Sequence, residues 1–146
     1  MNILILSHGK LADELLAAGR AITGELARSR ALCFDWSQGK EEIKTRLGEA
    51  LAEIGDDEGV LILADVWGGT PCNAALSFRR PGEVEVLGGV NLPMVIRLGC
   101  LVGKELPFAD AVRWLRDKGR DSIRCSEDPS PRPCVAVKDP CAEPAS

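Results

Sequence analysis

The chain contains one histidine, His8, placed after the apolar run Ile3-Leu4-Ile5-Leu6 and just before Gly9. Free imidazole has a pKa of about 6.5, so its neutral form is abundant at pH 7 and acts as nucleophile, general base or metal ligand. On a loop it serves equally well as a solvated or capping residue. Asp65 is the second candidate, closing another apolar run, Val60-Leu61-Ile62-Leu63-Ala64. A carboxylate there can accept a hydrogen bond from one imidazole N–H. That bond fixes the tautomer and leaves the other nitrogen's lone pair free to attack. Its plainer reading is a carboxylate that caps a helix or loop. The third group is Trp67-Gly68-Gly69-Thr70-Pro71. Two glycines let backbone approach a ligand, and the helix start that follows offers unpaired N–H groups to an anion. Gly9-Lys10 offers a second seat of the same kind. A tight turn explains the glycine pairs equally well. Cys72 is a weaker candidate nucleophile, because only His8 is there to serve its thiol.

These residues have to be brought together by the elements around them. Leu11, Leu15, Ala18 and Ile22 line one face of a helix that ends at Gly24. Ala31–Trp36 reads as a second strand, and Ser37 or Gln38 is the predicted cap of the helix Lys40–Ile54. That helix turns Ile43, Leu47, Ala50, Leu51 and Ile54 to one side. Gly59–Asp65 is a near-continuous apolar strand of the kind found in the centre of a parallel sheet. Thr70 is the predicted N-cap of a helix with Pro71 in its first turn. Glu83–Leu87 reads as a fourth strand. Helices follow over Leu92–Leu98 and from Pro107 to about Arg124, the second weakened at Gly119 by about 1 kcal/mol relative to alanine.

Strands alternating with helices predict an α/β domain, doubly wound, with a mostly parallel sheet and helices on both faces. Same-handed crossovers then gather every strand-to-helix loop on one edge. His8, Trp36-Ser37, Asp65–Asn73 and Gly88–Asn91 are expected to converge there, where open α/β sheets handle ligands.

The 146 residues suit one domain, expected over 1–125. Residues 126–146, rich in proline and containing two more cysteines, are expected to form a disordered or loosely packed tail. A net charge of −4 argues against nucleic-acid binding. No apolar run approaches the roughly 18–20 residues that span a bilayer, and no basic leader precedes the first apolar run. A cytoplasmic protein is expected. The six cysteines form no C-x-x-C pair, and one histidine gives no zinc spacing, so no metal site is expected. Most read as free thiols, with Cys33, Cys72 and Cys100 packed as small apolar groups. Neither the Rossmann phosphate fingerprint nor the P-loop is present, and no cofactor is expected.

Three segments together carry a resemblance: Leu4-Ile5-Leu6-Ser7-His8-Gly9, Ala64-Asp65-Val66-Trp67-Gly68-Gly69-Thr70-Pro71-Cys72-Asn73-Ala74-Ala75, and Gly88-Gly89-Val90-Asn91-Leu92-Pro93-Met94. In this order, over about residues 1–125, they resemble the enzyme IIA domain of the mannose family (mannose/fructose/sorbose type). This is a component of the bacterial phosphoenolpyruvate:sugar phosphotransferase system. The resemblance implies a homodimer whose last strand is antiparallel and exchanged between subunits. It implies that His8 accepts a phosphoryl group from the phosphocarrier protein HPr as phosphohistidine and passes it to a histidine of an enzyme IIB partner. The membrane would be met only through an associated permease. By motif, Asp65 orients His8, and Gly9, Gly68, Gly69 and Thr70 lie beside the phosphoryl group.

Thr70 stands where serine is common in the family, which keeps the hydroxyl. Cys72 stands where a larger residue is usual, so an altered docking surface is expected there. The tail has no counterpart, which leaves open a regulatory role in which phosphorylation state controls a partner without sugar transport. A phosphoryl-donor subunit of dihydroxyacetone kinase ranks last, because the Trp-Gly-Gly-Thr-Pro loop is similar to the sugar-transport branch.

Overall fold

The computed structural model describes residues 1–101 and 104–128. The chain runs β1 (Asn2–His8), α1 (Leu11–Thr23), β2 (Ser29–Phe34), α2 (Lys40–Ile54), β3 (Val60–Ala64), α3 (Thr70–Leu76), β4 (Val84–Gly88), α4 (Leu92–Leu101) and α5 (Phe108–Asp121). The strands form one sheet in the order β2-β1-β3-β4. All three pairings are parallel. The doubly wound α/β architecture follows from how each strand alternates its side chains.

Leu4 and Leu6 of β1, with Ile62 and Ala64 of β3 and Val84 and Val86 of β4, pack on α2 and α3 through Ile43, Leu47, Cys72 and Ala75. The intervening residues Ile3, Ile5, Leu61 and Leu63 pack on the opposite side against Leu16, Val95, Leu98 and Leu115 from α1, α4 and α5. Each central strand is therefore apolar on both faces, which is why it reads as an unbroken hydrophobic run.

The chain leaves β1 towards β2, and its later strands build on the other side of β1. The carboxyl ends of β1 and β3 thus flank the point where strand order reverses, the place where open α/β sheets form their crevice. β1 runs past the end of β3: Leu6 pairs with Ala64, and His8 pairs with Phe34 of β2. Asp65 continues the ladder by donating its N–H to the Leu6 carbonyl at 3.0 Å. The stagger sets Asp65 beside the last residues of β1.

Several expectations need correction. Gly39, not Ser37 or Gln38, precedes α2 as its cap. Gly69, in an extended conformation (φ −68°, ψ 162°), caps α3, so Thr70 is already helical and Pro71 is the second helical residue. Cys33, Cys72 and Cys125 are free thiols, whereas Cys100 is disulfide-bonded. β4 is the last strand among the described residues and is parallel to β3, while most of the expected tail lies outside those residues.

Two helical glycines mark close approaches. A methyl on Gly119 would lie 2.6 Å from Met94 Cγ, so α5 can press on α4. A methyl on Gly19 would lie 2.6 Å from Cγ1 of Val95 and 3.3 Å from Leu26 Cδ1. Val95 is fully buried and β-branched, and so has no room to turn away. Gly19→Ala is expected to lower stability by about 1–2 kcal/mol, overpacking outweighing the gain in helix propensity. A shifted denaturant midpoint at unchanged slope would report it; an unchanged or raised midpoint would contradict the packing.

Candidate functional site

β1 delivers His8 to the carboxyl edge, and Gly9 turns the chain at once into α1 with φ +56°, a conformation glycine adopts without strain. The Gly9 N–H is held by the Phe34 carbonyl at 2.8 Å, which ties this turn to the end of β2. Ser7, wholly buried, accepts a hydrogen bond on its Oγ from the Ala12 N–H at 2.7 Å. A strand residue thereby does for α1 what a capping side chain usually does.

Asp65 closes on His8 from β3. Its Oδ2 lies 2.8 Å from His8 Nδ1 and also accepts the His8 backbone N–H at 2.9 Å. Its Oδ1 accepts the Val66 N–H at 2.8 Å. Burial opposes the charge on Asp65. The donors from His8 and Val66 outweigh that cost and hold its pKa below the ordinary carboxylate value. An ionised carboxylate only accepts hydrogen bonds, so the proton of the shared bond resides on Nδ1. Nε2 is left with its lone pair in the plane of the ring. The imidazole side chain is 18% exposed and that of Asp65 11%, so a reacting atom can reach the ring while the carboxylate stays behind it.

The Gly68-Gly69 turn borders the same ring. Gly68 has φ +84°, and its carbonyl accepts the Asn73 Nδ2–H at 2.9 Å. A methyl on Gly69 would come within 3.4 Å of His8 Cε1 and 2.8 Å of Val66 Cγ1. Thr70 follows, exposed, in the first turn of α3. The structure therefore gathers His8, Gly9, Asp65 and Gly69 directly, with Gly68 and Thr70 adjoining Gly69 in the chain. Cys72 is fully buried in the core below this loop. It is packed as a small apolar group, as expected for the inner cysteines, and is out of reach as a nucleophile. Gly88 closes β4 under Trp67, where a methyl would lie 2.9 Å from Trp67 Cα.

Reasoning from residue types missed Trp36. Its indole stacks on the His8 ring with centroids 4.7 Å apart and planes 12° from parallel. The loop that carries it is braced from both ends. Asp35 Oδ1 accepts the Ser37 N–H and Oγ–H at 2.9 and 2.7 Å. Gln38 Oε1 accepts the Asp35 N–H at 2.8 Å and an Arg46 guanidinium N–H at 2.9 Å. The available signal was an aromatic residue just beyond the strand that pairs with the histidine's own.

Among the described residues no group of three or more His, Cys, Asp or Glu could hold a metal ion. Among them, too, no helix is long and apolar enough to cross a membrane.

Fold and site together define a class: open parallel α/β domains presenting one carboxylate-held imidazole at the carboxyl edge of the sheet. Within that class, the chain belongs to the enzyme IIA family of sugar phosphotransferase systems; the family model described as "PTS system fructose IIA component" matches residues 2–112. The fructose-specific EIIA component of Bacillus subtilis is 30% identical over 129 residues, 87% of this chain and 88% of that protein. The mannose-specific EIIAB component of Escherichia coli K12 is 29% identical over 98% of this chain. That match takes in 46% of the EIIAB protein, so the chain spans about half the length of this relative. The solved mannose/sorbose specific IIA subunit from Enterococcus faecalis superposes with a TM-score of 0.77. It is 30% identical, and the match covers 88% of this chain and 96% of that one.

Proposed function

We infer that this chain is a phosphocarrier in which Nε2 of His8 accepts a phosphoryl group from phosphorylated HPr and hands it to a histidine of an enzyme IIB partner. The 2.8 Å bond between His8 Nδ1 and Asp65 Oδ2 carries this reading. It sets the tautomer that leaves Nε2 nucleophilic, as the work requires.

In the forward step the N–P bond on HPr breaks as the bond from His8 Nε2 to phosphorus forms. Phosphoryl transfer asks for in-line positioning and for stabilisation of charge spread over three oxygens. Because His8 keeps its Nδ1 proton, the phosphorylated ring is formally cationic, and the Asp65 carboxylate balances it. A cationic ring is also a good leaving group, since it departs as neutral imidazole. The group is thus held without being trapped. Gly9, Gly68, Gly69 and Thr70 border the space for its oxygens. Around them the exposed side chains of Val66 and Trp67 form an apolar rim that suits a protein donor.

We assign a homodimer on the same footing. β4 ends the sheet, and beyond Val84, which Arg80 pairs on that side, its outer edge can receive a strand from a second copy. The membrane is reached only through a permease that works with enzyme IIB.

Incubation with phosphoenolpyruvate, enzyme I and HPr should place one phosphate per chain, lost in acid and stable in base. No label, or an acid-stable one, would refute the carrier role.

A further inference from the structure

We propose that Trp36 is a positioning residue for His8: its indole, stacked on the imidazole, fixes the plane of the ring and hence the direction of the Nε2 lone pair. The role rests on the phosphocarrier reading above.

The Asp65 bond pins one atom, Nδ1, and one hydrogen bond leaves the ring free to rock about the Nδ1–Oδ2 line. A flat partner lying nearly parallel against the ring face opposes that rocking. At the ring edge, Gly69 comes close to Cε1. The lone pair of an sp² nitrogen lies in the ring plane, so phosphorus has to arrive along that plane. A stacked indole guards a face and leaves this approach open.

The indole is 78% exposed, so it adds little to the core. Its backbone is nonetheless held firmly, through the Asp35 and Gln38 contacts and through Arg46, which also donates to the Cys33 carbonyl at 3.2 Å. A loop built to this degree around an exposed aromatic residue sets that residue against something, and here it is the imidazole.

The test uses the full chain as wild type, Trp36→Phe and Trp36→Ala. With a single histidine, the His8 ring signals are unambiguous in NMR. Wild type and Trp36→Phe should show ring protons shielded by the stacked aromatic and a well-ordered ring. Trp36→Ala should lose both. With saturating phosphorylated HPr, the maximal transfer rate of Trp36→Ala should fall about tenfold, with KM nearly unchanged, and Trp36→Phe should recover most of the rate. An unchanged ring order or an unchanged maximal rate in Trp36→Ala would overturn the proposal. So would a rise in KM alone, which would make Trp36 a docking residue. If wild type takes no label from HPr, the carrier reading fails, and ring order by itself decides whether Trp36 positions His8.

Discussion

His8→Asn should take no acid-labile phosphate, a drop of more than about 10³-fold in the rate of transfer from HPr. Asparagine is the informative replacement because its side-chain N–H can occupy the place of Nδ1 and keep the bond to Asp65. What it lacks is a nitrogen lone pair at the Nε2 position. Loss of labelling would then report missing chemistry and not a collapsed site. There is no second histidine to take over, Cys72 is buried, and Asp65 is already committed to three N–H donors. The thermal midpoint should stay close to that of wild type, since the imidazole adds little to either core layer. Label that persists in the variant would place the phosphate elsewhere and refute the role of His8.

Asp65→Asn should be the next most damaging change, slowing transfer by about 10–100-fold while the chain stays folded. The carboxylate only accepts, which obliges Nδ1 to carry the proton. An amide can donate instead. Once its NH₂ points at Nδ1, the ring proton moves to Nε2 and occupies the lone pair that should attack. Asp65→Ala removes the orienting bond but imposes no tautomer, so it should transfer at least as fast as Asp65→Asn. Single-turnover labelling by phosphorylated HPr, beside ¹⁵N shifts of the His8 ring, separates the cases. Asp65→Asn transferring at the wild-type rate would mean that the carboxylate does not set the tautomer.

The pairing of His8 with Asp65 was legible because each closes an apolar run, and parallel strands put such ends on one edge. Periodicity alone did not show that β1 and β3 are neighbours, or that β1 overruns β3 enough to bring the two side chains together. The start of α3 was misread because threonine and glycine both suit a cap, and proline is accepted at either of the first two helical positions. Gly69 takes the extended cap conformation and shifts the helix start one residue earlier. Gly119 reads as a weak point in its helix. Only the packing of α5 against α4 turns it into a contact point. Trp36 escaped notice for a related reason. Its orientation depends on the path of a short loop, and that path is written in the side-chain bonds of Asp35 and Gln38 rather than in any repeat of hydrophobic residues.

The parallel sheet has a bearing on when the chain becomes competent. Parallel neighbours cannot be joined by a tight hairpin, so each pairing waits for a crossover to form. His8 and its carboxylate are 57 residues apart, and that loop has to close before the imidazole is oriented. During synthesis, His8 leaves the ribosome 57 residues ahead of Asp65, and its orienting carboxylate is not in place until β3 has followed and docked. Closures over such distances are slow relative to helix formation. On the phosphocarrier reading proposed above, His8 is thereby kept idle in partly folded chains, and acceptance of phosphate becomes a check that the sheet has been assembled in the right order.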